Sequence, residues 1–286
     1  LAMIKVLVPY DFSPTATHAL NFATSLTQVY QDVEISVLHI VETPISTGID
    51  SMSGGFDSGP DFQDQVFYME MIEARKKQFK ELEEKYIGSP YRLKTNLVLG
   101  NVFTSISQAI EDESPDLVIM GSRGTSGLEE VLIGSNTEKV VRNAPCPVIT
   151  IKDETPIHKL KKIVFASDFR ESDDEVASRI KNLQAIFDAE FYFVVVNTPG
   201  NFETTRESIA RIRRFVEKYQ FENIKAEIYN SASEDSGIIE FADDVKADMI
   251  AMTTHGRKGL MHLITGSIAE DVVNHSKRPV WTYKSK

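Results

Sequence analysis

Asp116-Leu-Val-Ile-Met-Gly-Ser-Arg-Gly-Thr-Ser-Gly-Leu-Glu-Glu-Val-Leu-Ile-Gly-Ser-Asn136 changes character twice along its length. Leu117 to Met120 is an unbroken apolar run, as expected of a strand buried on both faces of a parallel sheet. Gly121 ends the run and Gly124 follows. After nine further residues Gly134-Ser135 leads into Thr137-Glu-Lys-Val-Val-Arg142, which reads as a helix. The pattern is strand, glycine loop, helix. Glycines at such a junction let the backbone approach a bound anion, and the N–H groups and dipole of a starting helix favour phosphate there. A tight turn alone would also use Gly121, Gly124 and Gly127. The hydroxyl directly after Gly134 and the helix behind it favour the phosphate loop.

Upstream, strands and helices alternate. Ile4 to Val8 reads as a strand, and Ser13 before Pro14 is a helix-start signal. Ala16, Ala19, Leu20, Ala23 and Leu26 form an apolar helical stripe, and Glu34 to Val41 reads as a second strand. Thr43 to about Gln65, rich in Gly, Ser and Asp, reads as a surface loop. A charged amphipathic helix is expected over Tyr68 to Lys85, a strand over Tyr91 to Leu99 and a helix over Phe103 to Glu111. This alternation predicts an α/β fold, a parallel sheet with helices on both faces.

The same grammar then starts again. Lys162-Ile-Val-Phe-Ala-Ser-Asp168-Phe echoes Lys5 to Phe12 at an offset of 157, and Met249 to Gly256 with Gly266-Ser267 echoes the glycine stretch at an offset of 132. The first copy thus carries 25 extra residues between these landmarks, nearly all assignable to the Thr43–Gln65 loop. A repeat of this length means two copies of one domain. They are expected over residues 1–153 and 158–286, with Asp153 to His158 as linker.

Composition narrows the function classes. The 286 residues are 42% hydrophobic and 26% charged, with a net charge of −11. A chain this acidic is a poor phosphate-neutralising binder of nucleic acid, and Arg75-Lys-Lys77 and Arg211-x-Arg213-Arg214 read as solvated helix faces. The single cysteine, Cys146, allows no internal disulfide framework and reads as a small packed residue. No apolar run approaches membrane-span length and Leu1 to Lys5 leads straight into a strand, so a cytoplasmic location is expected, without membrane partners.

Gly121-x-x-Gly124, nine residues, then Gly134-Ser135 resembles the nucleotide-binding signature of the universal stress proteins. Asn143 to Thr150 resembles that family's closing strand, and Val6 to Ser13 its opening. The resemblance implies two tandem doubly wound parallel-sheet domains of the adenine nucleotide alpha hydrolase-like type, strand order 3-2-1-4-5, related by a pseudo-two-fold axis. It also implies that the last strands of the two copies pair with each other, and leaves room for a homodimer of whole chains. Such a sheet binds ligands where its strand order reverses, between strands 1 and 4.

Carried onto matching positions, the family's roles place Asp11 on the nucleoside, the backbone of Val41 at the adenine edge and Gly121 near the ribose. Gly124, Gly134, Ser135 and Asn136 would hold the phosphates of ATP, ADP or AMP. From spacing alone Asp11 reads equally as a turn carboxylate capping the following helix. Arg123 reads either as a ligand of a terminal phosphate or as a solvated loop arginine. Asp11 would suit a bridging magnesium ion, although no carboxylate pair demands one. In the second copy Asp168, Gly256, Gly266 and Ser267 persist while Thr253 replaces the first glycine, which leaves nucleotide binding there open.

The expected function is a stress-response sensor or regulator that binds an adenine nucleotide and is not an enzyme, slow hydrolysis aside. A nucleotide-free interaction module is the alternative. Ser53-Gly-Gly-Phe-Asp57-Ser58 resembles the phosphate loop of ATP-pyrophosphatase ligases, but follows the second strand instead of the first and reads as a chance match. No Walker-type lysine motif is present, and His255 and His262, seven apart, could align on a helix but lack a third ligand.

Overall fold

The computed structural model describes residues 3–42, 62–86, 88, 91–124, 133–170, 174–255 and 265–285. The first copy comprises β1 (Ile4–Pro9), α1 (Pro14–Ser25), β2 (Val33–Val41), α2 (Phe62–Lys85), β3 (Arg92–Leu99), α3 (Val102–Glu113), β4 (Leu117–Gly121), α4 (Ser135–Asn143) and β5 (Val148–Ile151). The second comprises β6 (Lys162–Ala166), α5 (Asp174–Phe187), β7 (Glu190–Asn197), α6 (Thr205–Tyr219), β8 (Ile224–Asn230), α7 (Glu234–Asp244), β9 (Met249–His255), α8 (Thr265–His275) and β10 (Val280–Ser285). A 3-10 turn, Ile157–Lys159, joins them.

The ten strands among the described residues form one sheet in the order β3-β2-β1-β4-β5-β10-β9-β6-β7-β8. Each half reads 3-2-1-4-5 and is parallel throughout. The halves meet where β5 and β10 run antiparallel, Ile149 opposite Trp281. The order reads the same from either end, as a pseudo-two-fold axis between β5 and β10 requires. The pairing also leaves neither strand as an open edge.

One apolar layer lies on each face of the sheet. Leu117 to Met120 are buried throughout, as an apolar run on a central strand must be. In the second copy Phe165, Phe169, Phe193, Phe215 and Phe221 form an aromatic knot with centroids 5.1–6.0 Å apart. Each such ring, taken out of water, contributes about 2 kcal/mol.

Two sequence expectations need correction. α2 begins at Phe62, so the last residues of the predicted Thr43–Gln65 loop are helix. His255 ends strand β9 and is not on a helix, because the parallel pairing of β9 with β10 runs through position 255. His262 and the Ser53–Ser58 match lie outside the described residues.

Candidate functional site

Strand order reverses at β1, which has β2 on one side and β4 on the other. Their carboxyl ends face a cleft of about 360 Å³. Asp11, Val41, Gly121, Arg123, Gly124, Gly134, Ser135 and Asn136, which the sequence assigns to one site, all line it.

Backbone strain just after β1 shapes this cleft. Phe12 has φ of 64°, a left-handed conformation that costs a non-glycine residue about 1–2 kcal/mol. Its ring packs edge-on against Tyr10, His39 and Phe79 at 4.9, 5.1 and 5.5 Å, and the Arg75 guanidinium lies 5.1 Å above it. These contacts hold the turn. Asp11 then takes its turn role, Oδ1 accepting the Ser13 N–H at 3.0 Å. Its other oxygen faces the glycine loop, for a β-carbon on Gly124 would stand 2.8 Å from Asp11 Oδ2. Glycine at 124 is what brings loop and carboxylate together.

Gly121 is small for a different reason. A β-carbon there would meet Thr15 Oγ1 at 2.7 Å and the Ala16 nitrogen at 2.9 Å, so it is the place where α1 crosses β4. The loop's ends are pinned within the domain. Thr15 donates to the Arg123 carbonyl at 2.6 Å, Thr137 to the Gly121 carbonyl at 3.0 Å, and the Gly134 N–H to the Ser122 carbonyl at 2.9 Å.

α4 starts at the cleft with Gly134 as its cap and, among the described residues, no side chain bonded to its first N–H groups. Side chains cap α1 (Ser13), α3 (Asn101) and α6 (Thr204). The first turn of α4 therefore directs amide donors and the positive end of its dipole into the cleft. The Val41 carbonyl already accepts the Gly100 N–H at 3.0 Å and keeps one lone pair for a ligand.

Two cleft residues escaped the sequence reading. His39 is buried with Nδ1 2.7 Å from the Tyr10 carbonyl; burial lowers its pKa, with the Arg75 charge acting in the same direction. Arg75 was assigned to a solvated face yet borders the cleft. The repeat held the signal, since Arg211 and Phe215 stand 136 residues after Arg75 and Phe79, and Phe215 also meets a left-handed phenylalanine, Phe169.

The second copy builds the same frame around a smaller space, about 120 Å³. Phe169 has φ of 51°, and Asp168 Oδ1 accepts the Arg170 N–H at 3.1 Å. Here the loop after β7 turns inward. Glu203 pairs with Arg170 at 2.8 Å and with Arg211, whose side chain is 12% exposed. Burial pushes the Glu203 carboxyl up, but the two guanidiniums outweigh it and hold it below the usual range. Thr253 lines this cleft as the counterpart of Gly121. Gly256 lies outside the described residues, and Gly266 and Ser267 fall in the first turn of α8.

Cys146 is buried, its thiol pushed up to about 11 by desolvation, which makes it a packing residue. Among the described residues no helix is long and apolar enough to cross a membrane, and no group of three or more His, Cys, Asp or Glu could hold a metal.

Known proteins match this architecture half by half and as a whole. Universal stress protein MJ0577 of Methanocaldococcus jannaschii is 28% identical over 154 residues, 52% of this chain and 94% of that protein. Universal stress protein YxiE of Bacillus subtilis is 30% identical over 151 residues, 52% of this chain and 98% of that one. The crystal structure of a universal stress protein from Archaeoglobus fulgidus superposes with a TM-score of 0.74 at 22% identity, covering 98% of both chains. The sequence model of the universal stress protein family matches twice, over residues 3–152 and 159–284. With both halves matched from first strand to last, the chain belongs to the universal stress protein family, as a tandem of two such domains.

Proposed function

We propose that the first domain binds an adenine nucleotide, ATP or a shorter relative, and that the protein reports occupancy of this cleft to a partner in the cytoplasm. One observation carries the reading: the start of α4, Gly124 and Gly134 share with the Asp11 carboxylate a cleft of about 360 Å³. Phosphates suit the amide end of that cleft, and Asp11 suits a ribose hydroxyl as acceptor. Arg123 borders the same loop and would add charge at a terminal phosphate. Magnesium bound to those phosphates would screen them from Asp11, one of two carboxylates, with Glu42, among the described residues lining the cleft.

The role proposed is sensing, with turnover slow or absent. Phosphates bound at Gly124 and the start of α4 would change the surface beside them, and the shift between states is limited by the differential affinity of the nucleotide for them. The second cleft favours a different reading for its own domain. Its space is a third as large, and Glu203 already satisfies the arginines an anion would use. We therefore propose one nucleotide per chain.

Melting with and without ATP tests the proposal. At a ligand concentration a hundredfold above Kd, linkage adds about 2.7 kcal/mol and raises Tm. Gly124→Ala pushes the Asp11 carboxylate aside, a movable group, so the variant should fold normally and bind ATP about tenfold more weakly, a cost near 1.4 kcal/mol. An unshifted Tm for the parent protein, or a calorimetric stoichiometry of two, would overturn the reading.

A further inference from the structure

Helix α8 belongs to the second domain, yet its last turn reaches the phosphate loop of the first. Asn274 Oδ1 accepts the Ile133 N–H at 2.5 Å, one residue before Gly134. The main-chain carbonyl of the same Asn274 accepts the Lys152 ammonium at the end of β5. The loop's other main-chain ties described above come from its own domain, through Thr15, Ser122 and Thr137. The repeat does not reproduce this contact. Arg142, which precedes Asn274 by the offset of 132, pairs with Glu270 on α8, 2.7 Å from Nε, and ties no loop amide.

Ile133 is partly buried and packs against the apolar layer. An orphaned amide in such a place is costly, and the segment would relax to find another acceptor. That relaxation would move Gly134 and the first turn of α4, where the phosphates are proposed to sit. α8 itself begins at Thr265-Gly266-Ser267, the second copy's own glycine–serine step. A helix of 11 residues, about 16 Å long, thus joins the two corresponding loops.

We propose that Asn274 is a positioning residue for the first cleft: the second domain holds the phosphate loop in its binding geometry, so nucleotide affinity in one copy depends on the other. The inference rests on the nucleotide reading above. It gives the second domain a task that requires no ligand of its own.

The test uses the full chain and two ligands, ATP and adenosine, measured by calorimetry or, for the weaker ligand, ligand-observed NMR. Asn274→Ala should weaken ATP about tenfold, the loss of one well-placed hydrogen bond, and leave adenosine unchanged, since Ile133 adjoins Gly134 and the start of α4, the phosphate end of the cleft. Arg142→Ala breaks the neighbouring interdomain ion pair and should change neither. If Asn274→Ala is unstable, Asn274→Ser, too short to reach the Ile133 amide, replaces it with the same expectation. ATP binding as tight as in the parent overturns the inference, as does an equal loss for both ligands, which would mark a general disturbance. A parent protein that binds neither ligand overturns the nucleotide reading and this inference together.

Discussion

The two clefts share a skeleton and differ in what fills it. Each follows a left-handed phenylalanine, Phe12 or Phe169, and each has an aspartate whose Oδ1 accepts the N–H two residues on. Each receives an arginine from its second helix, Arg75 or Arg211. In the first, Arg75 rests over the Phe12 ring and the space is about 360 Å³. In the second, a short connection carries Glu203 inward between Arg170 and Arg211 and the space is about 120 Å³. The frame is set by core packing, which both copies need in order to fold. In the second copy the free volume is narrowed by a connection between a strand and a helix, which the core does not constrain.

The sharpest way to break this comparison is to make the first copy like the second at the end of β4. Gly121→Ala drives a β-carbon into Thr15 and the Ala16 backbone, so overpacking should cost about 3 kcal/mol, read as a lower urea midpoint at unchanged slope. The second copy carries Thr253 at this position. A neutral Gly121→Ala would mean that the approach of α1 to β4 does not demand glycine.

The next largest effect concerns the ion pairs. Glu203→Gln leaves two arginines without their anion and should destabilise the chain by about 2 kcal/mol, less than for a fully buried pair because Glu203 is 25% exposed. Since the folded state holds this carboxyl below its ordinary 4.5, its contribution is fully present above that pH and lost as pH falls through the folded value. Urea midpoints of the parent should therefore fall more steeply below about pH 4.5 than those of Glu203→Gln. Parallel curves would show that Glu203 does not bind the cleft shut.

The smallest effect lies at the end of β5. Burial lowers the Lys152 ammonium to about 8, with the Arg123 charge adding to the shift, whereas its counterpart Lys284 is exposed. Between about pH 8 and 10.5 the unfolded chain binds more protons at this position than the folded one. Stability should therefore rise across that window, by about 1 kcal/mol once solvent screening is allowed for, and Lys152→Met should remove the rise. A rise that persists in the variant would assign it to another group.

Much of the site was legible because its parts are local. The apolar run Leu117–Met120, the spaced glycines and Gly134-Ser135 mark strand, loop and helix start without reference to the rest of the chain. Asp11 is placed by the resemblance of Val6 to Ser13 to the family's opening strand, since its spacing alone fits a turn carboxylate equally. Arg75 and His39 were hidden for the opposite reason. An arginine on a charged helix and a histidine in an apolar strand carry no local mark of what the tertiary fold puts above them. Asn274 was beyond reach, since its partner Ile133 lies 141 residues away in the other copy.

The amino-acid order alone determined that there are two α/β copies and where the glycines after their fourth strands stand, because periodicity and spacing are properties of short segments. Only the tertiary structure decided which glycine serves helix packing and which the cleft, that Glu203 fills the second space, and that α8 reaches across to Ile133. These depend on sub-ångström distances between segments far apart in sequence, and close packing fixes such distances only when every layer is in place.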